Sequence, residues 1–143
     1  FAVPQYQKSI ENSKAENAIA LTNMIATASR MYALDHGSIY PDGYLSSTCN
    51  TASCVGGPTP PGCDLVACKY LPTTDFDGMP YIYRTLPASS AWLLLTNRRG
   101  KTSGTLPGPS GTDTWPYTQW AYRVNFNGVI SINGSFGQPA PTQ

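Results

Sequence analysis

Charge is scarce in this sequence. Asp, Glu, Lys and Arg together make up 12% of 143 residues, about half of the roughly 25% usual in soluble domains. The formal net charge is +1 and no basic block occurs. That removes the electrostatic footprint expected of a nucleic-acid binder or of a protein held to an anionic membrane surface. Histidine occurs once, as His36, so metal or acid–base chemistry that needs several imidazoles has no material. No run of about 20 apolar residues is present and no leader-like segment opens the chain. As written it reads as soluble, although the abrupt start at Phe1, without a cap or turn signal, leaves room for a removed upstream anchor. The surface must draw its polarity from Ser, Thr, Asn, Gln and Gly, which suits an extracellular protein packed against copies of itself.

The length fits one domain with its own core. The four cysteines, Cys49, Cys54, Cys63 and Cys68, fall within 20 residues in a Pro/Gly-rich stretch. Their C-x4-C-x8-C-x4-C spacing reads as two disulfides in an oxidising compartment. Zinc would want tighter C-x2-C pairs or nearby histidines. Three connectivities are possible. A helical turn after Cys63 would hold Cys63 and Cys68 too far apart to bridge. Between the other two, nested pairing, Cys54–Cys63 with Cys49–Cys68, is expected, using Gly56 to Gly62 as the turn.

Residues 4–35 read as one helix. Pro4 sits in the first turn, where proline is tolerated. Tyr6, Ile10, Ala18, Leu21, Ile25, Ala28 and Tyr32 recur in steps of three or four, and Met24, Met31 and Leu34 widen the stripe. The stripe from Ala18 to Leu34 is expected to bury. The polar stretch from Gln5 to Lys14 is expected to project, with Lys8–Glu11 and Glu11–Lys14 as surface pairs. Gly37 can close the helix in the left-handed conformation. Residues 37–78 form a disulfide-bearing connection. Residues 79–136 carry four candidate antiparallel strands, 79–86, 91–96, 119–126 and 129–133, rich in Tyr, Trp, Ile, Leu and Val. A long loop over 97–117 separates the middle two, and 137–143 reads as a disordered tail. The fold class is therefore α+β, one long helix over a four-stranded antiparallel sheet.

The last hairpin fixes its own register. A loop of Phe126, Asn127 and Gly128 pairs Val124 with Ile130 and Tyr122 with Ile132, which gathers apolar residues on one face. It requires Gly128 in the left-handed region.

Candidate chemistry is thin. Asp75 and Asp77 beside Gly78 are a weak calcium candidate, short of the further oxygen ligands and the Glu of a full loop; a turn capped by aspartate explains them as well. His36 stands at a helix end with no nucleophile motif near it. Glu11 and Glu16, five apart, face different sides of a helix and make no carboxylate pair. Neither a catalytic residue nor a cofactor is expected. Trp115, Tyr117 and Trp120 flank the long loop as a possible surface recognition patch, or simply pack it onto the sheet. Asn133-Gly134-Ser135 is a formal glycosylation sequon.

Three stretches carry a family resemblance. Ala2-Val3-Pro4-Gln5-Tyr6 resembles the exit from the apolar N-terminal helix of type IV pilins and type II secretion pseudopilins. Gly37-Ser38-Ile39-Tyr40-Pro41 resembles the Gly-x-x-Tyr-Pro end of that helix. Asp75-Phe76-Asp77-Gly78-Met79-Pro80-Tyr81 resembles the Asp-x-x-Gly-x-Pro-Tyr entry to the first strand in major pseudopilins. The resemblance implies a pilin-like roll whose apolar membrane segment lies upstream. It implies a filament subunit that assembles with copies of itself through its N-terminal helix, at a bacterial surface, served by pilus or secretion machinery. Many pilins place their disulfide near the C-terminus, whereas no cysteine follows Cys68 here. A secreted carbohydrate- or protein-binding module is the alternative from another class.

Overall fold

The structure, a computed structural model, describes residues 2–99, 120–133 and 138–141, with side chains from residue 8 onward. One helix, α1 (Ala2–Asp35), is followed by a two-residue strand β1 (Gly43–Tyr44), a 3-10 turn (Ser47–Thr51), the short helix α2 (Asp64–Ala67) and a second 3-10 turn (Phe76–Gly78). Strands β2 (Tyr81–Thr85), β3 (Leu94–Arg98), β4 (Ala121–Val124) and β5 (Ile130–Ile132) complete the described elements. Among the described residues the strands form one sheet in the order β1-β2-β3-β4-β5, and every neighbouring pair is antiparallel. The fold is α+β, as expected, with five strands in place of four. β1 is too short to show an alternating pattern; pairing of Gly43 with Thr85 and Tyr44 with Arg84 makes it a strand. No helix among the described residues is long and apolar enough to cross a membrane.

α1 ends as Gly37 suggested. Gly37 has φ +65°, and the Ser38 N–H donates to the Ala33 carbonyl at 2.7 Å, the six-to-one bond of a glycine-terminated helix. Ala18, Ile25, Ala28 and Tyr32 of the expected stripe are buried, but the buried face widens to the other side of it than expected. Glu11, Ala15, Ala18, Ile19, Thr22, Ile25, Ala26, Ser29, Tyr32 and Ala33 are buried, while Met24, Met31 and Leu34 are 50%, 53% and 83% exposed. Two small polar residues lie on the widened side. Thr22 satisfies its hydroxyl on the Ala18 carbonyl at 2.6 Å and on Thr96 of β3 at 2.7 Å, so it packs in the core without an orphan polar group. Ser29 also occupies a core position that hydropathy alone would not assign, its hydroxyl making no hydrogen bond among the described residues.

The inner sheet face follows strict alternation. Tyr81, Tyr83 and Thr85 of β2 and Leu94, Thr96 and Arg98 of β3 are buried, with the residues between them partly exposed. Trp120, Tyr122 and Val124 continue that face against α1. The last hairpin has the expected register: Tyr122 pairs with Ile132 and Val124 with Ile130, and Gly128 has φ +88°. Asn125 holds the turn by accepting from the N–H groups of Asn127 and Val129 at 2.9 and 3.0 Å. The tail is not wholly free of structure, contrary to expectation. Gln138 is buried, and its side-chain oxygen accepts from the Ala121 N–H at 2.8 Å, occupying a donor of β4.

Candidate assembly surface

One end of α1 is fixed by charge. The Glu11 carboxylate is 2% exposed and accepts from Arg98 in fork fashion, from Nε at 3.1 Å and from Nη2 at 3.0 Å. Arg98 Nη1 donates to the Pro80 and Arg99 carbonyls at 3.1 and 2.7 Å. Lys14 Nζ reaches the same carboxylate at 3.4 Å. The expectation that Gln5 to Lys14 projects, with Glu11 in surface pairs, is thus corrected at Glu11. It stands one turn before Ala15 on the buried face, and the end of β3 supplies a guanidinium beneath it. The Lys14 pair exists; a Lys8 pair does not occur among the described residues.

The other side of the helix carries exposed apolar side chains among polar ones such as Ser13, Glu16 and Thr27. At 100° per residue Met24, Met31 and Leu34 fall within about 80° of arc, and Ile10, 37% exposed, flanks the same sector.

The far end of α1 is tied to the cysteine-rich segment. Asp64, at the start of α2, is fully buried. Its carboxylate accepts from the Tyr32 hydroxyl at 2.8 Å and from the N–H groups of Val55 and Gly56 at 3.0 and 2.8 Å. Burial, then the hydrogen bond to Asp64, raise the Tyr32 phenol well above its ordinary value. His36 stacks on Tyr32, ring centroids 3.9 Å apart, and its Nδ1 donates to the Tyr32 carbonyl at 2.8 Å. Tyr70 meets both rings edge-on and donates to Asp35 at 2.6 Å; that hydrogen bond, first, raises its phenol.

The disulfides are Cys49–Cys63 and Cys54–Cys68, with Cα separations of 4.7 and 4.9 Å and a sequence separation of 14 in each. The nested pairing expected from the sequence is wrong. Nesting needs the segments 49–54 and 63–68 to run antiparallel, but they run in the same direction, so each cysteine meets the residue 14 further on. A parallel bridge between Asp42 and Pro61 precedes them with the same sense. The chain turns at Gly56 and Gly57, φ +68° and +84°, where Asp64 holds it. Cys63 and Cys68 do bound the short helix and do not pair with each other.

The remaining candidates are placed as follows. Asp75 caps the 3-10 turn, its Oδ1 accepting from Gly78 N–H at 3.3 Å and from the Ser47 hydroxyl at 3.1 Å. Asp77 is exposed and its N–H donates to Ser47 Oγ at 3.2 Å. Trp120 is 1% exposed in the core, a correction to its place in a surface recognition patch; Trp115 and Tyr117 lie outside the described residues. Ligand atoms of Cys54, Asp64 and Cys68 gather within 4.8 Å, but the two sulfurs are bonded to each other and offer no thiolate.

Comparison with protein-family models, curated proteins and solved structures gave no match. The arrangement itself can hold a rigid helix edge-out beside a braced loop. Sequence reasoning missed Glu11, Asp64 and Thr22 as fixing points. Their signal lies in partners distant along the chain, 87 residues in the case of Glu11 and Arg98.

Proposed function

We propose that the chain is the globular part of a type IV pilin-like filament subunit that acts by self-assembly. The observation that carries this reading is the set of exposed apolar side chains Met24, Met31 and Leu34 on a 34-residue helix whose opposite side is packed from Glu11 to Ala33. At 1.5 Å per residue that helix is about 51 Å long, whereas the five-residue strands span about 17 Å. A helix longer than its sheet has surface to give to neighbours. The order of the three resembling stretches supports the same reading, as does a sparsely charged surface.

In this reading an apolar helix upstream of Phe1 bundles with its copies, and the face bearing Met24 and Met31 continues that contact. The sheet and the disulfide-braced loop then form the outside, at a bacterial surface where the disulfides persist. The codons upstream of Phe1 test it. A short basic leader ending in Gly, then a Phe and an apolar run that leads into Phe1, supports the filament subunit, whether pilin or pseudopilin. A long cleavable signal peptide directly before Phe1 supports a secreted binding module and contradicts assembly.

A further inference from the structure

The two edges of the sheet are finished differently. At β1 the edge is closed. The Asp42 N–H donates to the Pro60 carbonyl at 3.0 Å and the Gly62 N–H to the Asp42 carbonyl at 3.1 Å, around the parallel bridge from Asp42 to Pro61. At β5 the edge is open. The Asn125 N–H donates to the Val129 carbonyl at 3.1 Å and the Asn133 N–H to the Ala121 carbonyl at 2.8 Å, so Val129, Ser131 and Asn133 turn their backbone groups towards β4. In an antiparallel ladder the residues between them point the other way. The N–H and carbonyl groups of Ile130 and Ile132 therefore face outward, and they make no hydrogen bond among the described residues.

Sheet edges are ordinarily blunted by charged side chains, proline, a bulge or a covering segment. Val129-Ile130-Ser131-Ile132 has no charge and no proline, and its Val and Ile residues favour strands. Val129 is 48% exposed, and Ser131 and Ile132 are partly exposed. This edge also matches itself, because Ile130-Ser131-Ile132 reads the same in both directions. A two-fold axis through Ser131 sets Ile130 opposite Ile132 of a second copy, and Ile132 opposite its Ile130. Those are the positions with outward N–H and carbonyl groups, so each pair exchanges hydrogen bonds in both directions. The isoleucines then continue the inner face of one sheet into the other. Arg123 stands across from Ser131 on β4, and its two copies lie about 14 Å apart over the join, beyond the roughly 8 Å screening length at physiological salt. A foreign strand must match this register by its own sequence; a second copy matches it by symmetry.

We propose that the β5 edge docks the β5 edge of a second copy, paired antiparallel through Ile130 and Ile132 about Ser131. The join is short, so the pair is a reversible dimer. The contact is independent of the assembly reading, which uses α1. Being isologous, it closes as a pair and does not by itself propagate.

Sedimentation of the 143-residue protein across the micromolar to millimolar range, read together with amide exchange, tests this. The expected result is a monomer–dimer equilibrium in which the Ile130 and Ile132 amides gain protection as dimer forms. The methyl resonance of Met31, on the outer side of α1, does not move. Ile132→Pro removes an outward N–H that the monomer does not use. Ser131→Asp keeps a partner for Arg123 and sets two carboxylates opposite each other, their Cα atoms about 4.5 Å apart. Each weakens dimerisation by about tenfold or more with the amides of β2 to β4 still protected, and Ile132→Val leaves it unchanged. A protein that stays monomeric throughout, or dimers that form without added protection at Ile130 and Ile132, would overturn the proposal. So would dimers of unchanged affinity in either folded variant, because another face would then hold the copies together. Protection of the two amides by an added extended peptide of unrelated sequence, with none gained by concentrating the protein alone, would assign the edge to a foreign strand and overturn it as well.

Discussion

The helix–sheet half of this protein and its cysteine-rich connection solve the same problem by different means. α1 packs on β2, β3 and β4 through Ile19, Ile25, Tyr32, Tyr81, Leu94 and Tyr122, all 0–1% exposed, so burial of apolar area stabilises it and one ion pair orients it. The segment from Gly43 to Gly78 adds fewer side chains to that core, Leu45, Leu65, Val66, Leu71 and Phe76 among them. It relies on two disulfides, on the carboxylate of Asp64 and on Asn50, which exchanges two hydrogen bonds with the Thr74 backbone at 2.9 and 3.0 Å. A region rich in apolar side chains can find its shape by packing. A region rich in Ser, Thr, Gly and Pro must have its unfolded chain restricted or its backbone donors claimed.

The contrast can be broken at its strongest point. Glu11→Ala leaves the Arg98 guanidinium buried without its carboxylate, and about 3–5 kcal/mol of stability should be lost, measured by urea denaturation. The pair Glu11→Met with Arg98→Leu should recover most of that, since both members of the ion pair are then replaced by apolar side chains. Removing the Cys54–Cys68 bridge by serine substitution should cost about 3 kcal/mol. Here the amide-exchange protection lost should be confined to residues 46–78, with β2 to β5 still protected. Loss across the whole sheet would show that the loop is part of the core.

Raising pH should strike the first region. Burial raises the phenols of Tyr81 and Tyr83 well above the ordinary 10. The folded state therefore holds protons that the unfolded chain releases, so stability is fully present below about pH 10 and falls above it. Each of these tyrosines should contribute a loss of about 1.4 kcal/mol per pH unit over that range, seen as a lower urea midpoint at pH 11 than at pH 9. Asp64→Asn should act on the second region by about 2 kcal/mol, because an amide nitrogen would face the Val55 or Gly56 N–H.

Much of the fold was legible because local rules and burial agreed. Gly37 closed α1, Gly128 allowed the one hairpin register that collects Val124, Ile130, Tyr122 and Ile132, and the short helix kept Cys63 from Cys68. The rest depended on partners that sequence spacing does not reveal. Glu11 sits at pair distance from Lys8 and Lys14 and so reads as a surface residue, until Arg98 is placed beneath it. Thr22 and Ser29 count as polar in any stripe, yet they set the helix phase and turn Met24, Met31 and Leu34 outward. The disulfide pairing turned on the relative direction of two short segments, which Asp64 decides through Val55 and Gly56. On the helix, Met24, Met31 and Leu34 read as part of the buried stripe and are exposed in the structure.

Filament formation by the complete gene product, comparing the natural sequence with Met24→Glu/Met31→Glu, tests the central claim most directly. Both side chains are half exposed, so the folded domain should lose less than about 0.5 kcal/mol. Electron microscopy of the producing cells should reveal filaments containing the natural protein and none with the double variant, while both proteins are made in equal amount. Filaments of unchanged number and form in the double variant, or no filaments from the natural gene, would contradict the account.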